Sequence, residues 1–87
     1  MTTYSVHYMT LLGGNIVASG LGYAAAVSKI EECVTWHRNT FDEGEGQTIT
    51  RENPSGKIPY RVTIKTSTAE AGMCLDQWSV IKEEAQD

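Results

Sequence analysis

The spacing of apolar residues changes period twice along this chain. Tyr4, Val6 and Tyr8 alternate with Ser5 and His7, and Leu11 and Leu12 come next. A period of two in β-rich residues predicts a strand over residues 3–12. Gly13-Gly14-Asn15 is a turn signal, because glycine and asparagine accept positive φ at little cost. Ile16-Val17-Ala18 then predicts a short hairpin partner. Ser19 or Gly20 can cap the next element. From Leu21 to about Arg38 the period becomes 3.6. Tyr23, Val27, Ile30 and Val34 form a stripe flanked by Ala26, Cys33 and His37, while Ser28, Lys29, Glu31, Glu32 and Thr35 fall elsewhere. This spacing predicts an amphipathic helix with one buried face, ended by Asn39.

Residues 40–46, TFDEGEG, are loop-like in composition. The period of two then returns. Thr48-Ile49-Thr50 predicts one arm of a second hairpin, and Asn53-Pro54-Ser55-Gly56 fits a type I turn. In the segment IPYRVTIKT, Ile58, Tyr60, Val62 and Ile64 would face one way, and Lys57, Pro59, Arg61, Thr63 and Lys65 the other. Pro59 lacks a backbone donor and is expected to face outward or mark a bulge. Ser67-Thr68-Ala69-Glu70 fits a capping box, but Gly72 opposes a long helix. The expectation is a loop or single helical turn at 67–73, a last strand at about 75–82 with Trp78 and Val80 inward, and a frayed end at 83–87. The sum is an α+β domain spanning 1–87: one helix across an antiparallel sheet of four or five strands, in the order β-β-α-β-β-β.

Composition narrows the class. The chain has 87 residues, room for one domain, and 40% hydrophobic content, enough for a core. No apolar run is long enough to span a membrane. The opening MTTYSVHYMT lacks the basic and apolar regions of a secretory signal. Two cysteines are too few for a disulfide scaffold and point to a reducing cytoplasm. The net charge of −4 is unevenly spread: residues 47–66 hold Arg51, Lys57, Arg61 and Lys65 against the single acid Glu52. Acidic groups flank them, with Asp42, Glu43 and Glu45 on one side and Glu83, Glu84 and Asp87 at the tail.

Catalytic signatures are sparse. No G-x-S-x-G elbow occurs. Cys33 and His37 are four apart and share a helix face, yet both border the apolar stripe, where a thiol is commonly a small core residue. Cys33, His37, Cys74 and His7 lack the close ligand pair that marks a zinc site. DEGEG lacks the register of a calcium loop. Gly20-x-Gly22-x-x-Ala25 matches a dinucleotide-fold variant, but the chain is too short for that sheet. No enzyme activity, cofactor or metal is expected. Binding surfaces are the better candidates. Lys57, Arg61 and Lys65, with Arg51 across from them, form a basic strand face, though three or four cations give a weak phosphate footprint. The plain alternative is the solvated side of a one-helix sheet. The acidic group Asp42, Glu43 and Glu45 could meet a Lys/Arg groove, and Trp36, off the main stripe, could anchor an interface. An open sheet edge could also make a symmetric homodimer.

The order of elements carried by TYSVHYMTLL, GYAAAVSKIEECVTW and IPYRVTIKT resembles that of small phage-encoded anti-CRISPR proteins. The resemblance covers most of the chain and lies in element order and size. It implies an inhibitor acting in the cytoplasm of a bacterial host. Such an inhibitor binds a host protein or ribonucleoprotein, a CRISPR effector above all, and blocks its nucleic-acid-binding surface. Two alternatives stand beside it. One is a nucleic-acid-binding accessory protein using the basic strand face. The other is a minimal thiol or metal enzyme centred on Cys33, His37 and Cys74.

Overall fold

The computed structural model describes residues 2–40, 47–68 and 72–83. It contains strands β1 (Thr3–Thr10) and β2 (Gly13–Leu21), helix α1 (Tyr23–Thr40), then β3 (Gln47–Glu52), β4 (Tyr60–Thr68) and β5 (Gly72–Glu83). All pairings are antiparallel, in the sheet order β2-β1-β5-β4-β3. This is the α+β, β-β-α-β-β-β architecture expected from the alternating periods. The last strand is also the middle one, and its length lets it pair with both β1 and β4.

Register explains which residues form the core. Val6 lies opposite Val80, Tyr8 opposite Trp78, and Val62 opposite Trp78 on its other side. Because strand side chains alternate, these residues share one face, and α1 packs on it. Val6, Val62, Ile64, Trp78 and Val80 from the sheet meet Ala26, Ile30 and Val34 from the helix, all buried. Trp78 and Val80 point inward as expected. The buried helix stripe runs through Ala26, Ile30, Val34 and His37; Tyr23 lies outside it, exposed, with its ring edge-on to Tyr4.

Ser19 and Gly20 lie in β2 instead of capping α1, Asn39 lies inside α1 instead of ending it, and four further expectations change. The first turn is not Gly13-Gly14-Asn15 but Leu11-Leu12, between the paired residues Thr10 and Gly13. Thr10 Oγ1 accepts from Leu12 N at 3.1 Å and donates to Gly13 O at 3.0 Å, a side-chain staple that closes the loop. The glycines belong to the strand: a Cβ on Gly14 would lie 2.3 Å from the Tyr8 carbonyl oxygen. Second, the type I turn at Asn53–Gly56 is replaced by a longer loop at 53–59. There Asn53 Nδ2 donates to Pro59 O at 2.7 Å, and the Lys57 carbonyl accepts from Lys82 N at 2.9 Å. Third, the capping-box reading of 67–70 yields to strand pairing. Ser67 and Thr68 belong to β4, opposite Met73 and Gly72, and Gly72 supplies the positive φ that starts β5. Here the ladder outweighs a local cap. Fourth, Glu83, expected to fray, pairs with Thr3 in β5. Residues 84–87 lie outside the described residues.

Candidate functional site

The basic strand face is not assembled as expected. Lys57 sits in the 53–59 loop rather than on β4. Arg51 lies opposite Val62 on the helix side of β3, so it is on the face away from Arg61. There its guanidinium donates twice to Glu31, from Nε at 3.1 Å and from Nη2 at 2.8 Å, while Tyr60 donates to the same carboxylate. The Arg51 bonds hold Glu31 below the usual carboxylate range against the opposing effect of its burial, and the Glu31 bond raises Arg51. Arg61 does face the open side, where its Nε donates to Glu52, directly opposite, at 2.9 Å. Lys65 is exposed on that same open face. The open face is otherwise rich in hydroxyls: Thr48, Thr50 and Thr63 line a shallow groove with Lys65. Two of the four cations are thus neutralised within the protein. The acidic group Asp42, Glu43 and Glu45 lies outside the described residues, as do Glu84 and Asp87.

A different surface stands out. Residues 1–28 contain no Asp, Glu, Lys or Arg. They build β1, β2 and the first turn of α1, so the hairpin has no charged side chain of its own, and the carboxylate that reaches it is that of Glu83, which accepts from Gly20 N at 2.9 Å. Seven large hydrophobic side chains are exposed among the described residues, and five are on this hairpin: Met9, Leu11, Leu12, Ile16 and Val17. Leu11 is 65% exposed and Leu12 99%. The other two are Tyr23 and Trp36, the latter 61% exposed. β2 is an edge strand of nine residues, uncharged and without proline. Sheet edges are normally blunted by lysine, proline or bulges. β2 has register shifts opposite the start of β1, but opposite His7–Thr10 its register is regular. The strand alternation predicted β1, but it gave no hint that the turn would fall on two leucines. The missing charge was legible in the sequence and is the signal that could have found this face.

Next to the hairpin, under the C-terminal half of α1, lies a cluster of polar groups. Tyr8 donates to Asp76 Oδ1, and His37 Nε2 donates to Asp76 Oδ2 at 3.1 Å. The side chains of His37 and Asp76 are 9% and 15% exposed. Burial, then the bond to Asp76, pushes the Tyr8 phenol up to about 12. The rings of Tyr8 and His37 lie 5.1 and 5.6 Å from that of Trp78. Sequence patterning did not mark Asp76, although it stands two residues before Trp78 and so shares its inward register. Two clefts open beside the cluster and share Tyr8 and His37. One, of about 540 Å³, runs between α1 and β2 and reaches Cys33, Trp36 and Trp78. The other, of about 590 Å³, lies by Leu11, Leu12 and Cys74.

This geometry does not prepare a nucleophile. Cys33 and His37 do share a cleft, but burial pushes the Cys33 thiol up, against what thiolate chemistry needs. The His37 nitrogen nearest a carboxylate is bound to Asp76. His7, counted as a fourth zinc ligand, lies in the odd register of β1 beside Ser5, on the face away from the helix. No group of three or more metal-ligating side chains is present among the described residues. No helix among them is long and apolar enough to cross a membrane. Comparison of the chain with protein-family models, with curated proteins and with solved structures finds no match.

Proposed function

We propose that the protein is a non-enzymatic interaction module that binds a protein partner through its uncharged β1–β2 hairpin. The observation that carries this reading is the hairpin itself: five exposed hydrophobic side chains on a stretch with no charged residue. Exposed apolar side chains gathered on one uncharged hairpin suit burial against a partner. Fully burying Leu11 and Leu12 against a partner would contribute about 1.5–3 kcal/mol each. The charged half of the molecule then sets orientation and solubility.

More specifically, we propose a phage-type inhibitor in the cytoplasm of a bacterial host, acting on a CRISPR effector or another nucleic-acid-handling complex by covering its nucleic-acid-binding surface. Support comes from the element order that carries the resemblance and from the net charge of −4, which suits a basic groove. Direct binding of nucleic acid has less support. Arg51 and Arg61 are each committed to a carboxylate, and the remaining cations of the stretch do not form one stripe.

The test is capture by tagged protein from nuclease-treated bacterial lysate expressing CRISPR effector complexes, repeated at low and physiological salt. The reading expects a stoichiometric protein partner retained under both conditions. Recovery of nucleic acid alone, lost with salt, would replace it with the nucleic-acid reading, because phosphate contacts weaken steeply with salt.

A further inference from the structure

We propose that the cleft between α1 and β2 receives an arginine side chain presented by the protein partner. The inference rests on the reading above and adds the chemical group that is recognised.

Rings line much of the cleft. Trp78, 4% exposed, is held in place by Tyr8 and His37, whose rings pack against it. Trp36 stands on the helix and is largely exposed, and Val17 lines the β2 side. No lysine or arginine is among the lining residues. Aromatic faces carry negative potential and attract guanidinium groups. Glu32, one turn before Trp36, also lines the cleft. Residues four apart on a helix are neighbours, so the carboxylate and the indole are presented together. Glu32 is 73% exposed at its side chain, and its partner Lys29 is 3.6 Å away. An exposed i,i+3 pair of that length is weak and readily exchanged for a better one. Asp76, below, is occupied by Tyr8 and His37 and is not a ligand.

Arginine fits this chemistry better than the alternatives. Its guanidinium is planar, stacks on rings, and can grip a carboxylate with two parallel bonds, and it is less strongly hydrated than lysine's ammonium. A phosphate-bearing ligand would meet Glu32 and a net charge of −4 with no lysine or arginine among the described lining residues. The volume of about 540 Å³ holds such a side chain with neighbouring residues of its loop.

The protein provides its own reporter. It has two tryptophans, and both line this cleft. The experiment titrates the intact protein with the capped peptide Gly-Arg-Gly, following tryptophan fluorescence, in parallel with Gly-Lys-Gly and the neutral isostere Gly-citrulline-Gly. The expected result is a saturable change with the arginine peptide, at least about fivefold tighter than with either control. Glu32→Gln should weaken it about two- to fivefold, and Trp36→Leu should remove most of the signal. A linear response, or equal affinity for arginine and citrulline, overturns the proposal. If the peptide fails while the lysate capture still yields a hairpin-dependent partner, this inference alone is lost. If capture fails while the arginine peptide saturates, the cleft chemistry stands and the hairpin reading falls.

Discussion

Replacing Asp76 with alanine should destabilise the protein more than any exposed substitution, because the carboxylate serves one buried and one half-buried donor. Tyr8 and His37 both donate to it, and His37 is 7% exposed. A buried donor left without its acceptor costs about 1–3 kcal/mol. Tyr8 is half-buried and can recover some bonding to water, so its share is nearer the net worth of a bond, about 0.5–1.5 kcal/mol. The expected loss is therefore about 1.5–4.5 kcal/mol for Asp76→Ala. Set against a total of about 4–13 kcal/mol for a chain of 87 residues, that is a large fraction. For a domain of this size, a loss of about 2 kcal/mol lowers the melting temperature by about 8–16 °C. Asp76→Asn keeps one acceptor and should cost less, and Tyr8→Phe should cost about 1 kcal/mol. The assay is thermal and urea unfolding of all three variants with the Tyr8→Phe/Asp76→Asn double variant. The double variant should be less destabilised than the sum of the singles, since the two residues share a bond. Strict additivity, or an Asp76→Ala loss below about 0.5 kcal/mol, the level of a plain surface change, would refute the cluster as a structural element.

Three further outcomes rest on the same geometry. The Tyr8 phenol is raised from 10.0 to about 12, so the fold favours its neutral form: its contribution is complete below pH 10 and is lost as pH rises through 12. A spectrophotometric titration of the four tyrosines should therefore lose its most alkaline step in Tyr8→Phe; an unchanged curve would contradict the assignment. Glu31 is held below 4.5, chiefly by Arg51, so its contribution is present above that value and lost as pH falls below it. Arg51→Ala should cost about 0.5–1 kcal/mol at neutral pH, because both partners are about half exposed, and the cost measured by urea unfolding should shrink at acid pH. Ile64→Ala, at a fully buried position between sheet and helix, should cost about 2–5 kcal/mol by the same method; a smaller loss would mean that the core lies elsewhere.

Periodicity made the fold legible, and the reasons for its failures are local. Tyr4, Val6 and Tyr8, the Ala26–Ile30–Val34 stripe, and Trp78 with Val80 each repeat with the period of their element, and each lies where that period puts it. The misplaced turns are those decided by pairing rather than composition. Gly14 is needed where the Tyr8 carbonyl approaches, so the turn slides onto Leu11-Leu12, residues with no turn signature of their own. The 67–70 segment has the residues of a helix start, but alternating Val62, Ile64 and Thr66 carry the ladder on through Ser67 and Thr68, while 69 and 70 lie outside the described residues. The basic stripe failed because facing depends on register: Arg51 on β3 pairs with Val62, not with Arg61, and so turns to the helix side. The Tyr8–His37–Asp76 cluster joins residues from β1, α1 and β5, and no local spacing announces it. An inward carboxylate beside Trp78 was its trace.

If binding runs through the β1–β2 hairpin, as proposed, two variants compared in the nuclease-treated capture will separate. Leu11→Ser/Leu12→Ser removes apolar contact without adding charge, at positions whose exposure leaves the fold intact. Lys65→Glu reverses the exposed cation of the open sheet face. The serine variant should lose the partner, with affinity falling at least about tenfold for each leucine buried on binding, while Lys65→Glu should retain it. Retention by the serine variant with loss by Lys65→Glu would rule out the hairpin and move the binding surface to the open face of the sheet.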